Sequence, residues 1–147
     1  MATIKGGNIF ANFIRGVTEG MTKASVVDVG FLENASYPDG TQVALVAAVQ
    51  EYGSSSRGIP PRPFFRHMIA AKKGEWPDAA RHLLVDNNYD STRTLQKMGE
   101  GIKGQLQQSI VDTNSPPLKS STIAAKGFDK PLIDTGQMIN SVDYRVK

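Results

Sequence analysis

The chain has 147 residues, with 17 Lys and Arg against 14 Asp and Glu and a formal net charge of +3. That length suits a single domain, residues 1–147, with room for an ordinary core and little room for a second one. The absence of cysteine excludes a disulfide framework, a thiolate nucleophile and a cysteine-ligated metal.

Ile9, Phe10, Phe13, Ile14, Val17 and Met21 recur at three- and four-residue spacing, which predicts an amphipathic helix over roughly residues 7–23. Ser25 to Leu32 follows. Val27, Val29 and Phe31 share one face of an extended chain rich in β-branched residues, so a strand is expected. Tyr37-Pro38-Asp39-Gly40 has turn chemistry. Thr41 is then placed to cap a helix through Val43, Val46, Ala47 and Val49 that stops at Gly53. Residues 53–63 hold three prolines and two glycines, which speak against regular structure. Their Ser/Gly half reads as loose and their Pro half as stiff and extended.

Phe64, Phe65, Met68 and Ile69 open a new helical pattern, interrupted near Trp76 because Pro77 cannot donate a helical hydrogen bond. Asn87 to Ser91 reads as a turn or cap. Leu95, Met98, Ile102, Leu106 and Ile110 then mark a long helix. Gly99, Gly101 and Gly104 lie within it and each weakens it by about 1 kcal/mol relative to Ala, so a closely packed neighbour is expected to compensate. Residues 112–121 form a second Pro/Ser/Asn loop, expected like 53–63 to be flexible. A helical turn, Ser121 to Lys126, ends at Gly127, and Leu132 to Gly136 leads into another turn. Ser141 to Val146 alternates cleanly and reads as a strand. The expected fold is α+β, with several helices packed on a small, mainly antiparallel sheet that includes strands the pattern does not place.

The longest apolar run, Val43 to Val49, is about a third of the roughly 20 residues that span a bilayer. No charged-then-apolar leader pattern opens the chain. A soluble cytoplasmic product is expected, with no membrane contact. Positive charge is scattered apart from a modest group at Arg57, Arg62 and Arg66, which fits a mixed solvated surface better than a nucleic-acid footprint. Asp134-Thr135-Gly136 matches the triplet with which aspartic proteases activate water. It equally fits a structural turn in which Asp134 or Thr135 caps the next helix and Gly136 gives backbone freedom. The turn is favoured, because a protease needs apolar strands around the triplet. His67 and His82 have no ligand spacing to a carboxylate, and Gly99, Gly101 and Gly104 are not followed by a Gly-Lys-Ser/Thr. No catalytic, cofactor or metal constellation emerges.

The segment from Glu51 to Arg66 is more informative. Prolines stiffen a contact element before it binds, and Arg and aromatic side chains dominate interface energetics. Ile59, Pro61, Arg62, Phe64 and Arg66 are therefore candidate subunit-contact residues. The other reading is that Phe64 and Phe65 enter the core and the prolines only set the angle of approach. Both can hold at once.

Val49-Gln50-Glu51-Tyr52-Gly53 followed by Ile59-Pro60-Pro61-Arg62-Pro63-Phe64-Phe65 resembles a stretch of the small neck or tail-completion proteins of long-tailed bacteriophages. Pro117-Leu118, Ser121-Thr122-Ile123, Lys126-Gly127, Pro131 to Met138 and Ser141-Val142 resemble the ending of the same family, in the same order and spacing. The likeness covers roughly residues 25–147. It implies an α+β virion protein, made in the host cytoplasm and not an enzyme. It implies a ring of identical copies in the neck or upper tail, joining the DNA-filled head to the tail. Its partners would be copies of itself and the adjacent connector and tail-terminator or tail proteins. Genomic double-stranded DNA would pass through the lumen without specific binding. Another phage morphogenesis role or a DNA-channel-binding module and, last, an aspartic protease using Asp134 are the alternatives.

Overall fold

A computed structural model describes residues 7–127, 132 and 136–147. Two strands lie at its centre. β1 (Val27–Phe31) pairs antiparallel with β2 (Val142–Val146), Val27 opposite Val146 and Phe31 opposite Val142. The alternation in β2 sends Val142 inward and leaves Asp143 and Arg145 exposed. No further strand occurs among the described residues, so the sheet has two strands and helices supply the rest of the fold.

The chief of these helices is α5 (Ser91–Asp112), which lies across the sheet. Its Leu106 and Ile110 are fully buried. They meet Val43 and Ala47 of α2 (Val43–Tyr52), Phe64 and Met68 of α3 (Phe64–Lys72), Met138 of α7 (Gln137–Asn140), Leu132 and Val142 in one core. α4 (Trp76–Asp86) packs beside α5, where the Trp76 Nε1–H donates to Gln105 Oε1 at 2.9 Å. α6 (Ser120–Lys126) ends at Gly127, whose φ of 80° closes the helix in the left-handed region. α3 and α4 are separate helices, as the Pro77 interruption implies, with the proline in the first turn of α4.

Local chemistry explains most element ends. Asp90 caps α5 by accepting the Arg93 N–H at 3.1 Å. The cap expected at Thr41 is displaced by one residue. Gln42 precedes α2, and the Thr41 N–H instead bonds Asp39 Oδ1 at 2.9 Å inside the Tyr37–Thr41 turn. Segment 53–63 is more ordered than its composition suggests. It holds a 3₁₀ turn, Ser55–Arg57, and an antiparallel bridge between Ser54 and Ile59. Gly53 (φ 74°) is required there, because a Cβ would sit 2.8 Å from both the Ile59 carbonyl oxygen and the Pro61 nitrogen.

Of the three glycines in α5, only Gly99 has the close neighbour that its cost implies. A Cβ at Gly99 would lie 2.5 Å from the Tyr144 ring and 3.0 Å from a Val27 methyl, so the glycine lets helix and sheet touch. Gly101 and Gly104 face open space and line a groove of about 950 Å³ with Pro61, Pro63 and Met68.

The first helix, α1 (Gly7–Met21), stops two residues short of the expected end. Its polar ties among the described residues to the rest of the fold lie at that end. The Ser91 hydroxyl donates to the Gly20 carbonyl at 2.9 Å and accepts the Ala24 N–H at 3.0 Å, and Lys23 pairs with Asp90 at 3.5 Å. Its apolar stripe faces outward instead of joining the core. Ile9 is 77 % exposed and Phe10 67 %, with Phe13, Ile14 and Met21 also exposed. Phe13 alone finds a ring partner, Tyr89, edge-on at 6.1 Å.

Candidate functional site

The candidate contact segment is fixed by two charged side chains that point inward. Glu51 lies in the last turn of α2 and is buried. Its carboxylate accepts the Phe65 N–H at 2.9 Å and the Arg66 N–H at 3.2 Å, the first free amides of α3. Pro63 occupies the N-cap position and has no side-chain acceptor to offer, so Glu51 caps α3 from another helix. Arg66 completes the arrangement. Its Nε–H donates to Glu51 Oε1 at 2.7 Å and its guanidinium stacks over the exposed Tyr52 ring at 5.0 Å.

Arg62 is the second. The extended chain between the 3₁₀ turn and α3 is held to α2 by the Arg62 N–H, which donates to the Gln50 carbonyl at 2.7 Å. The side chain then turns inside. Nε–H donates to the Pro116 carbonyl at 2.9 Å and Nη1–H to Gln50 Oε1 at 3.3 Å. Segment 53–63 is thereby tied to segment 112–121. Arg62 is only 4 % exposed and has no carboxylate partner among the described residues. Loss of hydration lowers its pKa, because burial penalises the charged form.

Arg62 lines a cavity of about 670 Å³ between α2, the 3₁₀ turn, α6 and α7. Val46, Ile59, Leu132 and Met138 give it apolar walls, and Arg57 and Lys119 stand around it.

The sequence-derived contact residues thus divide. Phe64 is 1 % exposed and sits in the core, edge-on to Phe31 at 6.2 Å. Phe64 and Arg62 are interior in the subunit, so for Phe64 the reading in which it enters the core holds, and neither residue belongs to the exposed part of the segment. The apolar ring is needed to close α3 on α5, and the guanidinium is needed to tie the two loops. Pro61 and Arg66 remain exposed, and Ile59 is half-buried. Of the other triplet, Asp134 and Thr135 lie outside the described residues. Gly136 adopts φ 80° immediately before α7, a left-handed turn position. His67 and His82 are exposed, and no His, Asp and Glu cluster with metal-holding geometry occurs among the described residues. No described helix is long and apolar enough to cross a membrane.

No known protein family, characterised protein or solved structure matches the chain.

Glu51 was not singled out by sequence reasoning as a helix cap. Its partners lie 14 and 15 residues away, so no local spacing announces it. The inward turn of Arg62 has a faint signal: an arginine enclosed by prolines, Pro61 and Pro63, between two apolar patterns.

Proposed function

We propose that this chain is a structural virion protein of a long-tailed bacteriophage, one of a ring of identical copies that joins the DNA-filled head to the tail. The observation that carries the reading is α1. The subunit completes its core without this helix and leaves five large apolar side chains in water. Together they offer roughly 600 Å² of apolar surface, approaching the ~800 Å² per partner that a stable interface buries. A face of that kind is characteristic of a subunit whose partner is missing.

A ring needs two different surfaces on each copy, because head-to-tail contacts close only when one patch meets another. The apolar stripe of α1 is one. Pro61, Arg66 and the stacked Tyr52 supply an exposed, stiffened second. The resemblance of motifs in residues 49–65 and 117–142 to those of neck and tail-completion proteins supports the neck or upper tail as the place in this reading. The +3 net charge is compatible with a wall beside DNA without a gripping site.

Electron microscopy of particles made without this gene tests the proposal. Filled heads and complete tails lying apart are expected. Normally joined particles, or heads arrested before DNA filling, would overturn it.

A further inference from the structure

We infer that the cavity around Arg62 is a carboxylate-binding site. The site stands whether or not the protein joins a head to a tail.

Three observations meet at Arg62. It is buried at 4 % exposure, yet the described residues give it no anionic partner. A guanidinium carries five N–H donors. One Nε–H and one Nη1–H are used, by Pro116 and Gln50, which leaves Nη2, at the guanidinium's edge, without a partner among the described residues. Among the described residues no sealed side-chain nitrogen lacks a partner. Nη2 therefore keeps some accessible surface, and Arg62 lines the cavity.

The chemistry of that edge selects the ligand. Two parallel N–H groups match the two oxygens of a carboxylate, and such pairs are shorter and stronger than neutral hydrogen bonds. The walls select further. Val46, Ile59, Leu132 and Met138 suit the methylene stem of a side chain. Arg57 and Lys119 line the same cavity, and Asp39 also lies on it. Neither Arg57 nor Lys119 forms an ion pair with a described residue, so both add attraction for an incoming anion.

A built-in carboxylate provides the second arm of the test. Gln50 Oε1 already faces Arg62 Nη1, so Gln50→Glu places an anion at the guanidinium with almost no change of shape. Glutarate serves as the probe, with inorganic phosphate and chloride at matched ionic strength as controls. The readouts are the NMR resonance of the Arg62 Nε–H and the melting temperature. In the unaltered chain glutarate is expected to shift that resonance saturably, binding about tenfold more tightly than either control, a difference of ~1.4 kcal/mol. Gln50→Glu is expected to melt higher and to lose the glutarate response. Absence of a saturable shift, tighter binding of phosphate than of glutarate, or a Gln50→Glu chain that melts no higher would each overturn the assignment.

Discussion

Glu51→Ala removes the acceptor that starts α3. The Phe65 and Arg66 amides lose their partner, and Pro63 offers no substitute. A hydrogen bond to a charged group contributes about 1.5–3 kcal/mol. Phe65 is half-buried and Arg66 exposed, so water recovers part of the loss, more at Arg66. The two bonds together then give a destabilisation of about 3 kcal/mol. At this chain length each kcal/mol moves the melting temperature by about 2–4 °C, so a fall of about 9 °C is expected. Glu51→Gln keeps an acceptor oxygen but no charge, and should cost about 1–2 kcal/mol. Arg66→Ala should cost less than about 1 kcal/mol, because its side chain is 56 % exposed and water screens the pair. Urea unfolding followed by circular dichroism measures all three. The reasoning is refuted if Glu51→Ala stays within about 1 kcal/mol of the parent, or if Arg66→Ala costs as much as Glu51→Ala. The latter result would make the ion pair, and not the amides, the source of the effect.

Gly99→Ala should lower stability by about 1–3 kcal/mol through overpacking against Tyr144, whereas Gly101→Ala and Gly104→Ala should raise it by up to about 1 kcal/mol in the free subunit. Thermal melts of the three variants separate the cases. Phe64→Ala should cost about 3–5 kcal/mol as a core deletion, while Phe10→Glu on α1 should leave the melting temperature of the free chain unchanged and abolish self-association measured by light scattering. Among the described residues four carboxyls are held below the ordinary aspartate value: Asp28 by Lys147, Asp39 by the Thr41 N–H, Asp90 by the Arg93 N–H and Asp143 by the Tyr144 N–H. A carboxyl depressed in the folded state stabilises above its unfolded pKa and loses that contribution as pH falls through the folded value. The melting temperature should therefore drop below about pH 4, and Asp90→Asn should make that drop shallower.

Much of the architecture was legible because its signals are local. The α5 stripe, the break at Pro77, the Gly127 stop and the alternation of β2 each follow from spacing within a few residues. The α+β class follows from them. The destination of each face was not legible, because it depends on partners far along the chain. The spacing in α1 shows an apolar stripe but not what covers it, and the stripe lies outside a core built from Val43, Phe64, Leu106 and Val142. The expected further strands are absent from the described residues, where α5 packs on both strands, α2 on β1 and α7 on β2. Thr41 lost the cap because Asp39 engages its amide in the preceding turn. Which of the five candidate contact residues face outward was not legible either. Composition alone places Arg62 and Phe64 with Pro61 and Arg66, and only tertiary packing divides interior from surface.

The pairing of β1 with β2 sets the order in which this protein can be completed during its synthesis. β1 leaves the ribosome early, and its partner follows only after residues 32–141 have been made. At about 5–20 residues per second that interval is roughly 5–20 s. Throughout it Val27, Val29 and Phe31 form an unpaired edge, and α5 has no Tyr144 to cover Gly99. The nascent chain is most open to aggregation and proteases in that window. Slower translation of the final third lengthens the exposure, and chaperone capture of β1 shortens it.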